Sequence, residues 1–207
     1  DAFAQLGQYQ KALDYLTEGA HPLRADDEIR SWQAWLLKQT GKAAPALAIY
    51  ADLFAGTYRN DQDFIDYVGL LADQKQWDAI DAAFAAYCRG GDTLDLRLEQ
   101  ARLLGMADRH QAALELLAEQ QKHTPFHTDI AYARIDHHNE LGQHREALAL
   151  CRQLIEEGFA SGDALYVKGY TECQLRWYRR AKASFEEALR HNPADEDTQI
   201  GRASCRE

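Results

Sequence analysis

Apolar positions recur along this chain at helical spacing, and the helical stretches recur in turn. The first copy reads Gly7, Tyr9, Ala12 and Leu16: a turn residue, an aromatic, a small residue and a large apolar residue one helical turn on. The second copy is Gly41, Ala43, Ala46 and Tyr50, and the third is Lys75, Trp77, Ile80 and Phe84. The fourth is Asp108, His110, Ala113 and Leu117. The fifth is Gly142, His144, Ala147 and Cys151, and the sixth is Arg176, Tyr178, Ala181 and Phe185. The turn residues lie 34, 34, 33, 34 and 34 positions apart. Glycine leaves a helix cheaply through a positive φ. The alanine lets two helix axes approach, and the large residue four positions later shares its face. Each copy is a helix–turn–helix that cannot bury its apolar face alone, so stacked copies are expected to share one core. Pro125 and Pro193 stand 68 apart, two periods, and each is expected to stop a helix at the end of a copy.

This period and these residues resemble the tetratricopeptide repeat (TPR) family over essentially all of residues 1–198. The sixth copy fits best, with Gly169, Tyr178, Ala181, Phe185, Ala188 and Pro193 in the family's pattern. The resemblance implies an all-α fold, a right-handed α-solenoid of about six helix–turn–helix repeats. They fall at roughly 1–26, 27–60, 61–93, 94–127, 128–161 and 162–195. The chain departs from the pattern in the first helix of each pair. The small-residue column there holds Ala34, Val68, Ala101, Ile135 and Gly169. The leucine that normally precedes it is Gln33, Tyr67, Gln100, Arg134 or Lys168. Pentatricopeptide repeats have a similar period but usually carry basic RNA-binding surfaces, and this chain is acidic.

In the family the first helix of each pair lines a concave, ligand-binding surface. The matching positions here are Trp35, Lys38 and Gln39, then Ile65, Gly69 and Ala72. They continue with Leu98 and Arg102, with Tyr132, Asp136 and Asn139, and with Tyr166, Tyr170 and Cys173. Trp35, Tyr132, Tyr166 and Tyr170 stand out, because aromatics dominate binding energy at interfaces. The tyrosines would serve equally well packed between repeats, and for Trp35, near Trp32, packing is the favoured reading. The basic and asparagine set with which chaperone-binding relatives clamp a terminal carboxylate is missing, since Lys38 and Arg102 stand isolated. A carboxylate-terminated ligand is therefore not expected.

Composition narrows the picture. Apolar residues make up 46% and charged residues 27%, a globular balance. The net charge of -10 disfavours general nucleic-acid or anionic-membrane binding. No stretch approaches the ~20 apolar residues that a membrane-spanning helix needs, so no membrane insertion is expected. The compartment is not fixed; cytoplasm is favoured, with periplasm as the alternative. The chain opens at Asp1, partway through a first helix, and both ends are expected to be cut. The run Ile200-Gly201-Arg202-Ala203-Ser204-Cys205-Arg206-Glu207 resembles a translated sequencing adapter, ATC GGA AGA GCG TCG TGT AGG GAA, and Gln199 supplies the leading bases. Residues 199–207 are therefore expected to be a non-native tail, and the whole a fragment, from a bacterial source. Cys88, Cys151 and Cys173 have neither disulfide-framework nor zinc spacing, and are expected to be reduced thiols in or near the core.

No sequence motif carries chemistry. There is no Walker-type glycine loop, no G-x-S-x-G and no H-E-x-x-H. His110 and His144 occupy the aromatic column, and His137 and His138 face different sides of one helix. His123 and His127 flank Pro125, where helical geometry fails. No metal site is expected, and no cofactor. The acidic groups Asp26-Asp27-Glu28, Asp61–Asp63, Asp92, Asp129 and Asp163 are read as caps or first-turn residues of first helices. Arg176-Trp177-Tyr178-Arg179-Arg180 is the basic–aromatic cluster, read first as an exposed helix edge and second as a phosphate or RNA site. The expected function is a non-enzymatic scaffold holding a protein or peptide partner in its groove. An accessory module of a larger transferase or peptidase is the runner-up, and RNA binding comes third.

Overall fold

The computed structural model describes residues 7–18, 26–123 and 126–204. Pro125, Cys205 and the side chain of His123 lie outside them. Among the described residues the chain is all helix. The helices are α1 (Tyr9–Glu18), α2 (Asp27–Gln39), α3 (Ala43–Ala55), α4 (Asp61–Asp73), α5 (Trp77–Tyr87) and α6 (Leu94–Met106). They continue with α7 (His110–His123), α8 (Thr128–Glu140), α9 (His144–Glu156), α10 (Gly162–Gln174), α11 (Tyr178–His191) and α12 (Glu196–Ser204). The chain separates into two compact units, Asp1–Leu96 and Arg97–Glu207.

The turn column works as the periodicity predicts. Gly7, Gly41, Lys75, Asp108, Gly142 and Arg176 all have φ between 56 and 75°. Five of these turns close with the same pair of bonds. In the first, the Gly41 amide donates to the Lys38 carbonyl at 3.0 Å and the Lys42 amide to the Leu37 carbonyl at 2.8 Å. The pattern repeats at Lys75, Asp108, Gly142 and Arg176. This Schellman closure satisfies carbonyls that the helix end would leave orphaned.

First helices open on a second periodic column. Asp26, Asn60, Thr93, His127, Ser161 and Asp195 each accept a backbone N–H from two or three residues downstream. The acidic-cap expectation holds at Asp26, while Asp61, Asp63, Asp129 and Asp163 are first-turn residues. Asp92 is corrected: the cap is the neighbouring Thr93, whose hydroxyl accepts from the Leu96 amide. The 33-residue interval also has a location. After α5 the chain tightens into one 3₁₀ turn, Cys88–Gly90, then leaves through Gly91 at φ 116°. A 3₁₀ turn uses fewer residues per turn, which suits a linker one residue short.

The core columns are filled as the pattern requires. Ala12, Ala46, Ile80, Ala113, Ala147 and Ala181 are buried, as are Tyr50, Phe84, Leu117, Cys151 and Phe185. In the first helices Ala34, Val68, Ala101, Ile135 and Gly169 are buried too. Volume is traded between columns: Ile135 shares a cluster with small Cys151, and Gly169 underlies Phe185. A Cβ on Gly169 would come within 2.8 Å of the Phe185 ring.

Cys151 is free and buried, and burial pushes its thiol up to about 12; Cys88 is free and half-buried. Cys173 departs from the expectation of reduced thiols: it is disulfide-bonded. Helix α12 takes in residues 199–204 of the adapter-like run, and its Gly201 lies against Phe185.

Candidate partner-binding site

The positions expected to meet a partner lie on the first helices, and each unit places its own set. In the first unit Trp35 is half-buried, held edge-on between Tyr9 at 5.4 Å and Trp32 at 5.8 Å. Lys38 donates to Asp66 at 2.6 Å, a contact between first helices of successive repeats. Ile65 and Gly69 are half-buried, Ala72 is buried and Gln39 is exposed. Trp32 was absent from the expected set, yet it is 49% exposed. It lies outside the family's contact columns, so only its place beside Trp35 could have flagged it.

In the second unit Leu98 is half-buried and Arg102 is exposed, its guanidinium bound to Glu99 at 2.7 Å. Tyr132 is half-buried, and its hydroxyl meets the Ser161 hydroxyl at 3.2 Å. Desolvation raises its pKa, although the Ser161 contact works the other way. Asn139 is engaged on two sides, donating to Thr171 at 3.1 Å while its carbonyl meets the His144 Nδ1 at 3.2 Å. Tyr166 packs against Phe185, with ring centroids 5.8 Å apart. Asp136 and Tyr170 are exposed, Tyr170 to 43%. Lys38, Tyr132 and Asn139 thus spend polar atoms on neighbouring helices or loops, while Trp32, Arg102, Asp136 and Tyr170 are exposed.

One histidine pair joins successive repeats. His110 and His137 meet Nδ1 to Nδ1 at 3.1 Å, so one ring presents N–H and the other its lone pair. Burial holds the His137 pKa below its ordinary value, with His110 and His138 adding to the effect. Among the described residues no three histidine, cysteine or carboxylate side chains gather as a metal site. No helix among them is long and apolar enough to cross a membrane.

The basic–aromatic cluster lines one shallow cleft of the second unit. Arg176, Trp177, Arg179 and Arg180 are exposed there, and the Arg180 guanidinium lies 4.9 Å over the Trp177 ring. Tyr178 is half-buried in the aromatic column.

Neither protein-family models nor curated protein sequences match this chain. Solved structures do. The C-terminal part of a TPR repeat-containing protein from Cytophaga hutchinsonii superposes at TM-score 0.67 with 12% identity, over 97% of each chain. A tetratricopeptide repeat protein from Parabacteroides merdae gives 0.64 and 16%, over 98% of this chain and 80% of that one. YrrB, described as a TPR protein with an unusual peptide-binding site, gives 0.60 and 17%, over 94% and 97%. The fold is therefore the all-α helical-repeat solenoid of TPR proteins.

Proposed function

We propose that this TPR-type array is a protein-interaction scaffold whose first helices hold an extended peptide or a partner helix. The observation that carries the reading is the pair of exposed aromatics, Trp32 and Tyr170, on capped and well-packed first helices. Large apolar rings held rigidly toward water favour association over isolation. The half-buried rings of Trp35, Tyr132 and Tyr166 extend each surface. YrrB, a structural neighbour described by its peptide-binding site, adds support, although a shared fold alone assigns no function. The test compares partner recovery by the purified array and by a Trp35→Ala/Tyr132→Ala/Tyr170→Ala variant of unchanged helicity. Loss of recovery supports the first-helix surface, and equal recovery by both counts against it.

A second reading is favoured by one observation, the exposed Trp177 ring stacked with Arg180 among further arginines. An aromatic platform in a positive setting suits single-stranded RNA. Phosphate contacts are strongest at low salt, so an array that retains no RNA there sinks this reading.

A further inference from the structure

The first unit holds a cleft of about 400 Å³ between α2, the α3–α4 connection and the start of α4. Trp32 and Trp35 of α2 and Tyr58 of the connection supply its aromatic walls. The two indoles meet at 75°, so they form a corner rather than one flat wall. Tyr9, edge-on to Trp35 at an interplanar angle of 89°, braces that ring.

The same cleft is lined by two carboxylates, Glu28 and Asp63. Asp63 is fixed in place: its Oδ2 accepts from the Ser31 hydroxyl and from the Tyr58 hydroxyl, each at 2.5 Å. Both bonds fall on one oxygen, and Oδ1 is uncommitted among the described residues. Arg59 also lines the cleft, but its guanidinium is turned to other work. It lies 4.9 Å over the Tyr87 ring and donates to the Tyr58 carbonyl at 2.9 Å.

We infer that this cleft is a recognition site for an arginine side chain of the bound partner. The inference rests on the scaffold reading and names what the first unit would select. An anionic group would meet two carboxylates. A neutral apolar group would strip water from them without return. A guanidinium satisfies both features of the cleft: its plane stacks on an indole, and its edge donates to a carboxylate. It is also less strongly hydrated than the ammonium of lysine. The chain uses the same stack twice on itself, Arg59 on Tyr87 and Arg180 on Trp177.

The test titrates the whole chain with three Gly/Ser decapeptides, differing at one central position that holds arginine, lysine or glutamine. Indole N–H resonances of Trp32 and Trp35 are followed by NMR. The arginine peptide is expected to shift them, with affinity falling as salt rises and about tenfold weaker binding for the glutamine peptide. Glu28→Gln, at an exposed position, and Asp63→Asn are each expected to weaken arginine binding severalfold. Trp32→Ala abolishes it, and Trp32→Phe restores part. Equal binding of the glutamine peptide, or full affinity in Glu28→Gln and Trp32→Ala, overturns the inference. The two readings fail separately. A partner lost by the Tyr132→Ala/Tyr170→Ala variant but kept by Glu28→Gln/Trp32→Ala leaves the scaffold standing without its arginine site. A partner kept by both removes the scaffold surface as well.

Discussion

The two units share one repeat but fill parts of its inner columns with different chemistry. In the first unit the layers between helices are aromatic. Phe54 touches the rings of Tyr50, Tyr58, Phe64, Tyr67 and Tyr87, and Phe64 stacks on Tyr87 at 4.0 Å. In the last two repeats, which lie in the second unit, polar pairs occupy columns that are leucine in the earlier ones. His137 and Thr171 stand where Leu36, Leu70 and Leu103 are buried. Glu172, 2% exposed, stands where Leu37, Leu71 and Leu104 are, and it pairs with Lys168 at 3.2 Å and Ser184 at 2.7 Å. A helical-repeat layer therefore accepts either solution, and among the described residues it also tolerates the Tyr50 hydroxyl and the Arg134 Nε buried without a hydrogen-bond partner. An apolar layer loses stability with the volume removed from it, whereas a polar layer loses it when a buried partner is left unpaired.

Four substitutions would break or sharpen this contrast. The largest effect is expected for Phe64→Ala, which empties the centre of the aromatic layer and should cost about 3–5 kcal/mol. Trp32, Trp35 and Trp77 report on the first unit and Trp177 on the second, so fluorescence-monitored denaturation assigns the loss. Next, Glu172→Leu leaves Lys168 without its carboxylate and should cost about 2–3 kcal/mol, reduced because Lys168 keeps partial contact with water. The triple variant Lys168→Leu/Glu172→Leu/Ser184→Leu should recover that loss, and failure to do so would mean the polar pair sets the packing itself. The third concerns pH. His137 titrates lower when folded than its ordinary value of 6.5. The unfolded chain binds the proton first, so stability is complete above about pH 6.5. It falls as pH drops through the folded value, by up to about 1.4 kcal/mol per pH unit. His137→Leu, which copies Leu36, Leu70 and Leu103, should flatten that limb in urea titrations between pH 7 and 5. The smallest is Arg176→Gly. Arg176 holds φ 61°, and glycine there should add up to about 1 kcal/mol, a rise of some 2–4 °C in Tm.

The helices, their pairing and the core columns were legible because they depend on local chemistry repeated at one period. The turn column was legible even at Lys75, Asp108 and Arg176, which are not glycine, since their spacing placed them. The cap column was not. Asp26, Asn60, Thr93, His127, Ser161 and Asp195 are five residue types doing one task, and a search for acidic caps finds only part of it. The odd residues of the first helices were visible as departures, but not what they meet. His110 and His137 are 27 positions apart, and Asn139 and Thr171 are 32 apart. The exposure of the first-helix positions was not legible. Lys38 and Asn139 carry the right chemistry for a ligand, and neighbouring helices use it.

The closing and opening bonds of each helix pair all span six residues or fewer. Nothing in the boundary of a copy depends on how many copies precede or follow it. Length can therefore change by whole copies, through duplication or loss, without any boundary being rebuilt. A change of one residue is another matter: the single short interval had to be absorbed by a 3₁₀ turn and a glycine at 88–91. The 34-residue period is in this sense the chain's unit of length as well as of packing.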